Sequence, residues 1–155
     1  MRFENFSIWR KKLPHWRADH VTYYVTFRHR RELTEAERLV LFRNLLRPEG
    51  RKWDLMILCV LPGATELVFQ VMEGPKGTYE LSGIVEKAKT KAGKLIIKNT
   101  GERFPPFYSE SYDRIIRDDG ELEEHFQRIL YSMVDAELTE DPESWDALWV
   151  KDKGE

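Results

Sequence analysis

From Leu55 to Leu61 the chain sets seven apolar residues in a row, Leu-Met-Ile-Leu-Cys-Val-Leu. Such a run falls far short of the ~20 residues that cross a bilayer as a helix. With no polar residue on either alternate, neither face suits water. The stretch Asp54 to Leu61 is therefore predicted to be a central strand covered on both faces.

The segments around it carry the complementary patterns. Between His20 and Arg28, Val21, Tyr23, Val25 and Phe27 alternate with Thr22, Tyr24, Thr26 and Arg28, the period of a half-buried strand. Thr34-Glu35-Ala36-Glu37 has the spacing of a capping box. It opens a helix whose apolar residues are Leu39, Phe42, Leu45 and Leu46, and Pro48 and Gly50 end it. Pro62-Gly63 turns into a strand from Thr65 to Met72, with Leu67, Phe69 and Val71 directed to the core and Glu66, Val68 and Gln70 opposite. Gly74-Pro75-Lys76-Gly77 is a loop, and Leu81 to Ile97 a lysine-rich helix that Gly83 and Gly93 weaken. Ser109 to Arg117 forms a short strand. Asp118 to Val134 is a helix with Leu122, Phe126, Ile129, Leu130 and Met133 on one stripe. The order β-α-β-β-α-β-α predicts an α+β, ferredoxin-like split β-α-β sandwich. Its antiparallel four-stranded sheet is expected to carry helices on one face plus a C-terminal helix, the other face remaining accessible.

At 155 residues, 41% apolar and 34% charged, the chain suits one domain with a core of its own. The boundaries expected are a core over 18–134, a basic leading segment over 1–17 and an acidic tail over 135–155. Net charge is −2, but it is unevenly distributed. Met1 to Arg31 holds eight Arg or Lys against two acids, and Val134 to Glu155 holds eight acids against two lysines. A second basic stretch runs through Lys87, Lys89, Lys91, Lys94, Lys98 and Arg103. Segregation of this kind presents a positive face on a nearly neutral chain. No signal core or membrane span is legible, and the single Cys59 fits a reducing cytoplasm. The four histidines, His15, His20, His29 and His125, lack ligand spacing, and no phosphate loop or nucleophile elbow occurs.

Several stretches, taken in order, resemble one family. Arg10-Lys11-Lys12-Leu13-Pro14-His15-Trp16 precedes Tyr23-Tyr24-Val25-Thr26-Phe27-Arg28. Val60-Leu61-Pro62 follows, then Pro106-Phe107-Tyr108 and Ser111-Tyr112-Asp113-Arg114-Ile115-Ile116-Arg117. Glu121-Leu122 and Asp141-Pro142-Glu143 complete the set. Together they resemble the REP-associated tyrosine transposases of the HUH superfamily. The resemblance implies a domain that binds single-stranded or hairpin DNA, in a family that occurs both as monomers and as dimers. It also implies cleavage chemistry, with a divalent metal such as Mg²⁺ polarising the phosphate and a helix-borne tyrosine attacking it.

The positions implied for that chemistry are substituted here. The two metal-binding histidines fall on Ala64 and Glu66, and the nucleophilic tyrosine on Arg128. The expectation is a DNA-binding protein with a degenerate active site, no metal cofactor, and Arg128 holding a phosphate without cutting it. The alternatives are an active endonuclease using Tyr131 as a relocated nucleophile and a protein-interaction module derived from a transposase. Candidate phosphate contacts are Arg10, Lys11, Lys12, Arg28, Arg30, Arg31, Lys87, Lys91 and Lys94. Trp16 and Tyr24 are candidates for stacking on unpaired bases.

Overall fold

The computed structural model of the chain describes residues 21–71, 73–74, 77–78 and 81–151. Strand β1 (Thr22–Arg28) leads through helix α1 (Glu35–Leu46) to β2 (Trp53–Val60) and β3 (Ala64–Val71). Two short strands, β4 (Glu73–Gly74) and β5 (Gly77–Thr78), pair with each other where a loop was expected. Helix α2 (Leu81–Thr100), β6 (Tyr112–Ile116), α3 (Asp119–Leu130) and the single turn α4 (Ser132–Asp135) follow. A 3₁₀ turn (Pro142–Ser144) and strand β7 (Leu148–Val150) close the order.

The main sheet has five strands in the order β6-β1-β3-β2-β7, all antiparallel. This corrects the expectation of four. The fifth strand comes from the segment set apart above as an acidic tail. Apolar Leu148-Trp149-Val150 pairs with Ile57–Cys59 of β2, and Ala147 is fully buried. The Trp145 indole donates to the Val60 carbonyl at 3.0 Å, while Lys151 pairs with Glu49. Only the intervening acids stay in water, so net charge hid an edge strand.

The second correction concerns the accessible face. Val25, Phe27, Leu55, Leu58, Leu67 and Phe69 meet α1 and α2 on one side of the sheet. On the other, Tyr24, Met56, Ile57, Cys59 and Val68 meet the stripe of α3, and Met133 beyond it, so much of that face is covered. This is what the apolar run of β2 demands. A bulge at Met56 lets Leu55 pair with Phe69 and Ile57 with Val68, so Met56 and Ile57 both join the α3 side. Phe69 and Phe126, each 0% exposed, contribute about 2–3 kcal/mol apiece from opposite sides. Burial pushes the Cys59 thiol up to about 12, which leaves it an inert core residue.

Helix α1 has the expected capping box: Thr34 Oγ1 accepts from the Glu37 amide at 3.3 Å, and Glu37 returns a carboxylate to the Thr34 amide at 2.9 Å. Its buried line is different from the expected one. Leu41 and Leu45 are fully buried with Glu37 and Asn44, whereas Leu39, Phe42 and Leu46 are half-buried. Two polar residues on the inner face obscured the stripe; Asn44 is accommodated by donating to the Val40 carbonyl at 2.9 Å. In α2, which runs unbroken through Gly93, that glycine also admits a neighbour. A Cβ there would lie 3.1 Å from Pro105, so glycine lets the 104–108 segment approach the helix.

Candidate nucleic-acid interface

Residues 64 and 66 of β3 face the same side as α3, because side chains two apart on a strand share a face. The ladder places Thr26 opposite Glu66 and Arg28 opposite Ala64. Glu66 is the centre of a polar cluster. Its Oε2 accepts from the Tyr24 hydroxyl at 2.5 Å and from Arg128 Nη1 at 2.5 Å. Arg128 Nη2 lies 3.2 Å from His125 Nδ1, and His125 stacks on the Tyr24 ring with centroids 4.4 Å apart.

Burial, then the Glu66 carboxylate, hold the Tyr24 phenol above its ordinary value, so it remains a donor. Burial and the Arg128 charge hold His125 below its ordinary value, which suits a neutral ring accepting through Nδ1. Burial pulls the Arg128 guanidinium down, but the bonds and charges of Glu66 and Tyr24 together outweigh that and keep it above its ordinary value. Two of the substituted positions, Glu66 and Arg128, are thus joined in an ion pair. Ala64 lies beside them on β3 and offers no ligand atom. Tyr131 caps the C-terminal end of α3 and packs half-buried against the second core.

The stacking role expected of Tyr24 is not available, since the residue is 6% exposed and its ring is covered by His125. Arg31 is also committed elsewhere. It clamps Glu37 through both Nη atoms at 2.8 Å and reaches Glu102 through Nε and Nη2 at 2.9 and 2.5 Å. These bonds hold the Glu37 carboxyl down at about 2, and two carboxylates face one guanidinium. Arg31 therefore ties β1 to α1 and to the end of α2 instead of facing a phosphate. Arg10, Lys11, Lys12 and Trp16 lie outside the described residues.

Arg28 and Arg30 remain exposed at the end of β1, and the chain brings aromatics to them. Tyr108 donates its amide to the Arg28 carbonyl at 3.0 Å, and the Arg30 amide donates to Pro106 at 2.6 Å. The Tyr108 ring consequently lies 5.6 Å from the Arg28 guanidinium and 5.4 Å from that of Arg30. Phe104 stands 5.5 Å from both Arg30 and Arg103. Phe104 and Tyr108 are 55% and 43% exposed, so both rings present a face to solvent beside the guanidinium groups. Beside them opens a cavity of about 320 Å³, walled by Arg30, Lys89, Phe107 and Ser109 as well. Lys89 is itself buried and anchors the wall by donating to the Ser109 carbonyl at 3.0 Å.

This aromatic pair was missed in the sequence. Its signal was Arg103-Phe104-Pro105-Pro106-Phe107-Tyr108, where rings follow a cation in a segment two prolines keep from helix. Lys87, Lys91 and Lys94 are exposed on α2, and Lys87 and Lys91 line a different cleft from the one beside this cluster.

The fold is similar to that of a solved protein described as a REP-associated tyrosine transposase bound to a REP hairpin. The likeness covers 84% of this chain and 79% of that one, with a TM-score of 0.64 at 15% sequence identity. No protein-family model and no curated protein match the chain. The shared architecture is what that likeness establishes. Among the described residues, no helix is long and apolar enough to span a membrane.

Proposed function

We propose that this chain is a transposase-like DNA-binding protein, built on a ferredoxin-like split β-α-β core, that engages single-stranded or hairpin DNA without cleaving it. The observation that carries the reading is the exposed group of Arg28, Arg30, Tyr108 and Phe104 at the end of β1. Guanidinium groups neutralise phosphates, and exposed rings stack on unpaired bases at about 1–3 kcal/mol each. The likeness to a hairpin-bound transposase supports the same reading.

The chemistry of the substituted positions supports the non-cleaving reading. A divalent cation needs free oxygen or nitrogen donors. Here Ala64 has none, and Glu66 Oε2 already receives a phenol and a guanidinium. These residues do not fit a metal ion. Arg128 is no nucleophile, and Tyr131 lies about one helical turn further on, roughly 5 Å along the axis. In-line attack on a phosphate does not survive that displacement.

Incubating the protein with hairpin and single-stranded oligonucleotides in Mg²⁺ and Mn²⁺ tests both halves. Salt-dependent binding with no denaturation-resistant protein–DNA adduct is expected. An adduct lost in Tyr131→Phe would establish cleavage instead, and absence of binding at low salt would remove the DNA reading.

A further inference from the structure

On the side of the sheet away from Glu66 and Arg128, α1 and α2 lie against each other and leave a cleft of about 50 Å³. Arg47, Arg51 and Lys52 come to it from the end of α1 and the turn beyond, Lys87 and Lys91 from the middle of α2. No carboxylate is among the described residues that line it. The negative end of α1 accounts for cations in its final turn, and Arg51 does donate to the Arg47 carbonyl at 3.3 Å. That argument does not reach Lys87 and Lys91, which sit well inside α2. Like charges pressed together at one void cost energy unless an anion joins them.

The lining of the cleft restricts the ligand to an anion. Cations converge on it from two short stretches of chain, which suits a compact tetrahedral oxyanion. Among the described residues no aromatic ring lines the cleft, so nothing there offers stacking. Lys87, Lys91, Lys94 and Lys98 follow at intervals of four, three and four residues, which puts them on one stripe of α2 leading out of the cleft.

We propose that this cleft is a binding site for a single phosphate group, held by Arg51, Lys87 and Lys91. The group is either a free phosphate or a phosphodiester of a bound strand, and the site is separate from the arginine–aromatic cluster.

Titrating isotope-labelled full-length protein with inorganic phosphate at constant ionic strength tests it by amide chemical shifts. Saturable shifts confined to the end of α1 and the middle of α2 are expected, lost in the double variant Arg51→Gln/Lys87→Gln. Shifts that sodium chloride reproduces, or that survive in the variant, overturn the site. The salt dependence of hairpin binding then identifies the source. A slope of log K against log salt smaller by about 1–2 in the same variant marks a phosphodiester, and an unchanged slope marks free phosphate. If phosphate saturates the cleft while no DNA binds, the cleft stands and the DNA-binding reading falls. If DNA binds and phosphate gives no saturable shift, the reverse holds.

Discussion

Arg128 on α3 and Glu66 on β3 form an ion pair in which Nη1 lies 2.5 Å from Oε2, and Tyr24 donates its hydroxyl to that same oxygen. The pair fills the place where the family resemblance expects a nucleophile facing a metal ligand. It also compensates the charge that was to hold a phosphate. Glu66→Gln keeps an oxygen for Tyr24 while releasing the guanidinium. The expected outcome is several-fold tighter hairpin binding at low salt, with a slope of log K against log salt steeper by about 0.7–0.9. Urea denaturation should record a cost of about 1 kcal/mol for the lost charge-assisted bond. A slope unaffected by the substitution would mean that DNA does not reach Arg128.

At the end of β1 the contributions of charge and stacking separate by their salt dependence. Arg28→Ala and Arg30→Ala should each flatten the slope for single-stranded DNA by about 0.7. Tyr108→Ala should cost about 1–3 kcal/mol of affinity at every salt concentration with the slope unaltered. Fluorescence anisotropy over a salt series reads both. A Tyr108→Ala variant that binds as tightly as the parent would remove the stacking role.

The core of the fold was legible where burial alone dictates residue type, although the layer of α3 on the second face was not expected. The run at Leu55–Leu61 demanded cover on both faces, the stripe of α3 supplied half of that cover, and the capping box at Thr34 stands where expected. Partnership was not legible. Arg31 and Arg28 look alike in sequence, yet Glu102, 71 residues away from Arg31, decides which of them is committed. Tyr24 alternates as an outward residue should, and the docking of α3, with His125 stacked on the ring and Arg128 beside it, covers it. Leu148–Val150 was concealed by the acids on either side, although three apolar residues in succession suffice for a short edge strand.

His29 supplies a test of the junction beneath the arginine–aromatic cluster. It is 7% exposed, its Nδ1 lies 2.7 Å from the Pro62 carbonyl and its Nε2 2.9 Å from the Thr65 hydroxyl. The carbonyl only accepts, so Nδ1 carries a proton, and in the neutral ring Nε2 accepts from the Thr65 hydroxyl. Burial holds its folded value below the ordinary 6.5 despite the Pro62 carbonyl. The unfolded chain therefore binds the proton more readily, and stability rises with pH across this window. The contribution is present above about 6.5 and is lost as pH falls through the lower folded value. Denaturation midpoints should drop between pH 7 and 5, and His29→Asn should flatten part of that drop, His125 retaining a share in the same direction. An identical pH profile in the variant would assign the drop to other groups.

Arg31 gives the sharpest separation of structure from binding. Its guanidinium faces Glu37, held at about 2, and Glu102, which the same guanidinium also holds below its ordinary value. A carboxylate depressed in the folded state stabilises above its unfolded value and loses that contribution as pH falls towards the folded one. Here the window runs from the ordinary 4.5 down to about 2. Arg31→Met should cost about 1–2 kcal/mol at neutral pH, a figure reduced because the arginine is partly solvated. The deficit should shrink through that window as Glu37 becomes protonated, which paired denaturation curves at pH 7 and pH 3 would record. Because its charge is already compensated, the same substitution should leave the salt slope of DNA binding unchanged, unlike Arg28→Ala. A slope flattened as much as by Arg28→Ala would return Arg31 to the surface that touches DNA.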